Sequence, residues 1–203
     1  MISFKNVHFS YGKKSVLTDF NLQINKGDRV ALCGESGVGK TTVLRLIMGL
    51  EKAVKGTVVI DGDKKITAVF QEDRLLPFKT VMQNLTLFGN GESAKKILSE
   101  LGLLDVADKY PSALSGGMAR RISIARALNS GGDIFIFDEP FNGIDEENVK
   151  LTAALIKHYT DNKTVVMVSH NKRDITAVHK FKRNVTYTGK TKYLLGDNST
   201  GEE

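Results

Sequence analysis

Some segments of the chain have the hydrophobic pattern of strands, and others have the hydrophobic period of helices. Segments 2–10 and 17–25 are rich in β-forming residues, so both are predicted to be strands of an antiparallel layer. The apolar run Arg29–Cys33 predicts a further strand. Ile134–Phe137 and Thr164–Val168 show no polar alternation, which is typical of parallel strands buried on both faces.

Helical periodicity marks the segments between these strands. Thr41–Leu50, Gly116–Leu128 and Glu146–Tyr159 are predicted to be helices. Residues 80–104 carry an apolar stripe at helical spacing, formed by Ala94, Ile97, Leu98, Leu101 and Leu104. We therefore expect a single domain over residues 1–203, with a helical subdomain at approximately 78–130 inserted in its core.

Strands that alternate with helices predict the α/β fold class. We expect a parallel sheet, an N-terminal antiparallel β-layer and an α-helical subdomain. Two short β-branched runs, Gly56–Ile60 and Ile66–Phe70, flank the turn residues Asp61–Asp63. This arrangement predicts a hairpin.

Composition narrows the class of protein further. The 203 residues are 41% hydrophobic, which suffices for one sizeable core. No apolar run approaches the roughly 18 residues of a membrane helix, and the N-terminus lacks the apolar segment of a signal peptide. Cys33 is the only cysteine, so a cytoplasmic location is expected. The charge of +6 indicates a solvated basic face, with an anionic membrane surface as the alternative.

A glycine-rich loop joins the predicted strand 29–33 to the predicted helix 41–50. This loop fits the phosphate-binding pattern G-x-x-x-x-G-K-[ST], in which backbone N–H groups turn toward phosphate oxygens at a helix N-terminus. Lys40 is expected to reach the β- and γ-phosphates, and the Thr41 hydroxyl to ligate Mg²⁺. The predicted triphosphate site comprises Gly34, Glu35, Ser36, Gly37, Val38, Gly39, Lys40, Thr41 and Thr42.

Polar side chains follow three other predicted strands. Because ligands of open α/β sheets bind at the carboxyl ends of the strands, these side chains are expected to converge on the triphosphate. Asp138 suits Mg²⁺, and Glu139 suits a general base for water. Gln71 either positions that water or completes the Mg²⁺ shell, and His170 is expected to contact the γ-phosphate.

A second anion-binding cap opens the predicted helix 116–128. Ser115, Gly116 and Gly117 offer a hydroxyl and unhindered backbone amides. One nucleotide has no need of two such sites in different subdomains. Two chains facing head to tail explain both, since each cap then closes over the partner's nucleotide.

These motifs, in this order, resemble an ATP-binding cassette (ABC) ATPase over nearly the whole chain. Gly34–Thr41 is similar to the Walker A loop of the P-loop NTPases and Gln71 to the Q-loop. Leu114–Met118 resembles the signature L-S-G-G-Q, with methionine in the place of glutamine. The other matches are Asp138 and Glu139 to the Walker B pair, Asp145 to the D-loop and His170 to the switch histidine.

Tyr11 is open to two interpretations on the residues alone. An aromatic side chain at a strand end can pack against its neighbours, or it can stack on a nucleobase. The resemblance favours the second, because Tyr11 stands where the family has its adenine-stacking aromatic.

The resemblance also implies partners and cofactors. It implies an ATPase that uses ATP and Mg²⁺, forms a dimer and docks on transmembrane permease subunits at the inner face of the membrane. Segments 71–77, 79–81 and 139–141 are similar to those of bacterial importers of nitrate, sulfonate, taurine and related small molecules. Such an importer would use an extracytoplasmic substrate-binding protein, reached through the permease, and no nucleic acid.

Two other functions compete with this one. Asn171–Asp174 fits the guanine-reading pattern N-K-x-D of small GTPases. However, residues just beyond a histidine that faces the γ-phosphate cannot reach a base at the far end of the nucleotide. A non-transport ABC ATPase with a regulatory role is the other alternative, and ATPase stimulation by nucleic acid would favour it.

Overall fold

A computed structural model describes residues 1–33, 36–169, 178 and the backbone of 194–195. The strands are β1 Ile2–Tyr11, β2 Lys14–Ile24, β3 Arg29–Cys33, β4 Lys55–Ile60, β5 Ile66–Val69, β6 Ile134–Asp138, β7 Thr164–Val168 and β8 Leu194–Leu195. The helices are α1 Lys40–Ile47, α2 Val81–Thr86, α3 Gly91–Glu100, α4 Gly116–Ser130 and α5 Glu146–Tyr159. Within this described part, no helix has both the length and the apolar composition of a membrane span.

The antiparallel layer is a three-stranded sheet in the order β2-β1-β4. The predicted pairing of the first two strands is confirmed. The predicted hairpin between β4 and β5 is wrong, because β4 pairs with β1 whereas β5 pairs with β6 in the other sheet. Strand β4 is largely exposed, whereas β5 buries Thr67 and Val69 beside the apolar strand β6. The turn at 61–63 therefore connects two layers.

The second sheet has five strands in the order β5-β6-β7-β3-β8. The first four are parallel, so their carboxyl ends lie along one edge, and β8 pairs antiparallel with β3. Ile134 and Ile136 of β6 pack in one core with α1 and the antiparallel layer, while Phe135 and Phe137 pack in the other with α3, α4 and α5. The predicted burial of this strand on both faces is confirmed.

The helical stripe predicted between residues 80 and 104 is confirmed in large part. Ala94, Ile97, Leu98 and Leu101 are buried. Leu104 was expected on the same stripe but is 47% exposed, because the helical period ends before the 3₁₀ turn Leu104–Val106. That residues 78–130 form a separate subdomain stays a prediction, and of the predicted closing strands 184–195 only β8 lies within the described residues.

Candidate functional site

A cavity of about 930 Å³ opens at the edge where the parallel strands β3, β5 and β6 end. The parallel arrangement brings together side chains that are far apart in sequence, as the sequence predicted. The predicted site residues that line the cavity are Tyr11, Ser36, Gly37, Gly39, Lys40, Thr41, Thr42, Gln71, Asp138 and Glu139.

The loop before α1 presents its backbone to this cavity. Gly37 and Gly39 have φ angles of 80° and 104°, which favour glycine, and Gly39 is the N-terminal cap of α1. Among the described residues, no side chain caps α1 and no acidic residue lies in its first turn. The first N–H groups of a helix carry partial positive charge, so this end of α1 suits an anion such as a phosphate.

Lys40, the first residue of α1, is only 5% exposed. Burial lowers the pKa of Lys40, while its electrostatic interactions with Glu139, Cys33 and Asp138 act in the opposite direction. A buried ammonium group has lost hydration, so a bound anion is expected to stabilise it through charge-assisted hydrogen bonds. Thr41, the next residue, is exposed to the cavity, whereas the Thr42 side chain is buried.

The acidic pair lies at the end of β6. Asp138 is 6% exposed and pairs with Val168 of the neighbouring strand β7. Glu139 has a φ of 50°, which is unusual for a residue other than glycine, and its N–H donates to the Val168 carbonyl at 2.9 Å. Strained backbone of this kind concentrates at functional sites, since the surrounding structure must maintain it. Of the five described residues other than glycine that have a positive φ, Glu139 is the one that lines the cavity.

Two exposed side chains lie at the rim of the cavity. Tyr11, at the end of β1, is 47% exposed, and its ring meets Phe9 edge-on with the centroids 4.8 Å apart. The tyrosine thus packs and presents a free face, so both interpretations of the sequence are compatible with its position. Gln71 follows β5 and is exposed toward the cavity.

The second predicted anion cap is a separate site. Ser115 caps α4 by accepting a hydrogen bond from the Met118 N–H at 3.2 Å. Ser115, Gly116 and Gly117 all lie within the described residues, and none of them lines the cavity. A Cβ at Gly116 would meet nothing within 4 Å, whereas a Cβ at Gly117 would lie 3.0 Å from the Gly143 carbonyl oxygen. The fold thus gives no steric reason for glycine at position 116.

Three predicted site residues fall outside the described part of the chain. They are Gly34, Glu35 and His170, so their roles stay predictions. The GTPase-like segment 171–174 lies outside it as well.

Other residues that line the cavity were missed by the sequence analysis. Lys14 and Val16 lie on one side of β2 close to Tyr11, and the spacing of two residues in a strand could have identified them. Lys150 and Glu146, one turn apart at the start of α5, form an ion pair of 3.7 Å on the other wall. Because α5 follows the acidic end of β6, the sequence could have predicted that the first residues of α5 lie at the cavity.

The chain also resembles known proteins in sequence. A family model described as ABC transporter matches residues 17–142. Aliphatic sulfonates import ATP-binding protein SsuB 1 of Paraburkholderia xenovorans (strain LB400) is 36% identical over 187 residues, which cover 87% of this chain and 55% of that protein. Glutamine transport ATP-binding protein GlnQ of Bacillus subtilis (strain 168) is 38% identical over 194 residues, which cover 84% of this chain and 80% of that protein. The chain thus spans about half of one relative and four fifths of the other.

A solved structure shares the fold. It is the dimeric structure of a post-hydrolysis state of the ATP-binding cassette MJ0796 bound to ADP and Pi, with a TM-score of 0.77 and 31% identity. The match covers 87% of this chain and 91% of that one. The predicted fold class and the predicted resemblance to ABC ATPases are both confirmed.

Proposed function

This chain belongs to the ABC transporter family as an ATP-hydrolysing subunit, and from this premise we propose that it drives a bacterial importer of a small anion or small organic molecule. It would work as a dimer, docked on permease subunits at the inner face of the membrane. The observation that carries the proposal is the cavity in which the uncapped end of α1 meets Asp138 and Glu139.

The residues around this cavity fit ATP and Mg²⁺. The backbone amides of 36–41 and the Lys40 side chain would hold the phosphates, and Tyr11 would stack on the adenine. The Thr41 hydroxyl, Asp138 and Gln71 supply oxygen ligands of the kind that Mg²⁺ takes together with substrate phosphates. Bound Mg²⁺ neutralises charge on the phosphates as they react.

Hydrolysis needs a group that accepts a proton from the attacking water. Glu139 lies at the same strand end as Asp138 and lines the cavity, so its carboxylate is the base that we assign to this step. His170 would contact the γ-phosphate from beyond β7, and Gln71 would orient the water. Gly34 and Glu35 complete the phosphate loop in this proposal.

The separation of the two anion caps supports a dimer. Ser115, Gly116 and Gly117 lie outside the cavity of their own chain, so a second copy, facing head to tail, would bring them over the bound nucleotide. Relatives whose names describe import or transport ATP-binding proteins favour membrane permeases as the other partners. A substrate-binding protein would act through the permease, and neither assembly involves nucleic acid.

Exposed apolar side chains support a docking surface for the permease on either side of α2. Phe78 is 89% exposed and Leu76 is 42% exposed, and both lie in the segment between Gln71 and α2. Phe88, just after α2, is 74% exposed. Apolar side chains of this size typically mark an interaction site where they form a contiguous exposed patch.

Reconstitution with candidate permease subunits in proteoliposomes tests the proposal. We expect ATP turnover in proteoliposomes to be coupled to import, and Phe78→Ser to reduce both co-purification with the permease and coupled import. Val54→Ser is the matched control, because Val54 is 65% exposed but lies beside the antiparallel layer. Turnover that responds to nucleic acid but to no membrane partner would overturn the transport function.

A further inference from the structure

Arg120 is the most heavily bonded buried side chain that the proposed mechanism does not use. It lies in the second turn of α4 and is 3% exposed. Its guanidinium contacts six oxygen atoms on two different strand ends. They are the carbonyl oxygens of Phe70, Gln71, Asp138, Glu139 and Pro140 and the Asp73 carboxylate.

The bonds divide between the two strand ends according to the nitrogen that donates them. Nη2 donates to the carbonyl oxygens of Asp138 at 2.8 Å and Glu139 at 2.6 Å, and Nε donates to that of Pro140 at 3.0 Å. Nη1 faces the end of β5, where it reaches the Phe70 carbonyl and, at 3.3 Å, the Gln71 carbonyl. One planar group therefore bridges the segments that follow the paired strands β5 and β6.

The turn that Arg120 holds is the strained one. Glu139 has a φ of 50°, and the carbonyls on both sides of it, together with its own, accept from Arg120. A conformation of this kind is strained and persists only where neighbouring groups maintain it. Arg120 is such a group, and it acts on the backbone that carries the proposed catalytic carboxylate.

Burial lowers the pKa of Arg120, and the Asp73 carboxylate at 3.3 Å acts against this shift. An arginine remains charged at neutral pH despite such a shift, because its ordinary pKa lies far above neutrality. The charge strengthens each bond to a carbonyl oxygen. No uncharged side chain has five N–H donors with which to replace the guanidinium.

We infer that Arg120 is a positioning residue for ATP hydrolysis, which holds the Glu139 turn and the Gln71 loop at a fixed separation and ties both to α4. The inference rests on the proposed function, because it makes Arg120 responsible for the orientation of Glu139 and Gln71 during hydrolysis. Arg120 itself touches neither substrate nor metal. Because Ser115 begins the same helix, Arg120 also connects the nucleotide cavity of one chain to the cap that serves the second copy.

The neighbouring Arg121 provides a matched control. It is an arginine on the same helix, but its Nη1 donates to the Leu101 carbonyl at 2.9 Å, at the end of α3 and away from the strand ends. The test compares Arg120→Gln, Arg120→Lys and Arg121→Gln for ATP turnover, for affinity toward a non-hydrolysable ATP analogue and for the midpoint of thermal unfolding.

We expect Arg120→Gln to lower kcat by about 10- to 100-fold, because a misplacement of about 1 Å can reduce rates to this extent. KM and analogue affinity should change by less than about threefold, since the phosphate-binding groups of α1 are untouched. Arg120→Lys keeps the charge but loses the planar fork, so it should restore kcat in part. Arg121→Gln should leave kcat within about twofold of the wild-type value.

Hydrogen exchange in the nucleotide-free chain gives a readout that does not depend on activity. Peptides that cover residues 70–74 and 138–142 should exchange faster in Arg120→Gln than in Arg121→Gln, with the rest of the sheet unchanged. Normal kcat together with normal exchange in both Arg120 variants would overturn the inference. So would loss of folding in both of them, because the arginine would then serve stability alone.

The two proposals fail in different ways. If the wild-type chain does not hydrolyse ATP, the proposed function fails, and the exchange experiment still shows whether Arg120 holds the two strand ends. If the wild-type chain hydrolyses ATP and the Arg120 variants match it, only the positioning role fails.

Discussion

The N-termini of α1 and α4 have similar chemistry but opposite surroundings. A glycine-rich loop precedes α1, and α4 begins with two glycines after its cap Ser115, so the backbone amides at both ends suit an anion. The end of α1 lies at the edge of the parallel sheet, with Lys40 buried beside Asp138 and Glu139. The end of α4 is exposed, capped by the Ser115 hydroxyl and outside the cavity.

From this difference we expect the end of α1 to carry out the chemistry within its own chain. It is surrounded by groups that can hold metal, activate water and contact a base. The end of α4 has only a hydroxyl and two glycines, so in the proposed dimer it would serve the nucleotide of the second chain. The comparison predicts that substitutions at the two ends affect separable properties.

The largest effect is expected at the acidic pair beside α1. Glu139→Gln should reduce ATP turnover by about 10²- to 10⁴-fold, the usual contribution of a general base. ATP binding should persist, because glutamine has the size of glutamate, and an ATP-bound dimer should accumulate. Single-turnover assays and gel filtration with ATP measure both properties.

Glu146→Gln is the control for that experiment. Glu146 also lines the cavity and is also acidic, but it is 81% exposed and pairs with Lys150 at 3.7 Å. Its loss should change turnover by less than about twofold, since exposed ion pairs contribute little. Equal losses in the two variants would remove Glu139 from its special role.

The next largest effect is expected from a negative charge introduced at the N-terminus of α4. Ser115→Asp keeps an N-terminal cap for α4, because aspartate caps helices as well as serine does. The isolated chain should therefore fold and bind ATP normally. The added charge should repel the phosphates of the second copy's nucleotide and weaken ATP-driven dimerisation by about 100-fold, since like charges at an interface cost several kcal/mol.

Ser112→Asp is the matched variant, because Ser112 is exposed three residues earlier in the 3₁₀ turn Pro111–Ala113. It should leave the dimer unchanged in analytical ultracentrifugation with ATP. Normal ATP-driven dimerisation of Ser115→Asp would rule out α4 as part of a two-chain site.

A substitution at α1 should have the complementary result. Lys40→Ala should weaken ATP binding by the isolated chain by about 10- to 100-fold, because hydrogen bonds to charged groups contribute about 1.5–3 kcal/mol. Lys150→Ala, in the same cavity but 75% exposed, should change the affinity by less than about threefold. Fluorescent-nucleotide titration measures both. Undiminished binding by Lys40→Ala would break the assignment of α1 as the primary site.

The sequence predicted the elements that local pattern alone determines. α5 was predicted at Glu146–Tyr159 and β7 at Thr164–Val168, and the structure has the same bounds. Asp145 caps α5 by accepting from the Asn148 N–H at 3.0 Å, so its start is encoded locally. The convergence of Gln71 and Asp138 was also predicted, because it follows from a parallel sheet.

What the sequence could not predict depends on partners distant along the chain. The runs of β4 and β5 have strand composition, but composition does not state which strand each will pair with. The contacts of Arg120 could not be predicted either. A helical pattern shows that an arginine is buried only where the apolar stripe of the helix is unambiguous. Its acceptors come from segments 18 to 50 positions away.

The smallest effect is expected when one of the two glycines at the start of α4 is replaced. A Cβ at Gly116 would meet nothing within 4 Å, and φ there is not in the left-handed region, so alanine fits the folded chain. Gly116→Ala should then raise the free energy of unfolding by about 0.4–1 kcal/mol, through the lower entropy of the unfolded state. If the position exists for close approach of a second copy's nucleotide, the same variant should weaken ATP-driven dimerisation.

Gly117→Ala sharpens this test, because its Cβ would lie 3.0 Å from the Gly143 carbonyl oxygen and must displace it. That variant should gain no stability from the same change in the unfolded chain. A Gly116→Ala chain that is both more stable and fully able to dimerise would show that glycine at 116 serves neither fold nor partner. A chain that is more stable but impaired in dimerisation would identify α4 as the half of the site that depends on a second molecule.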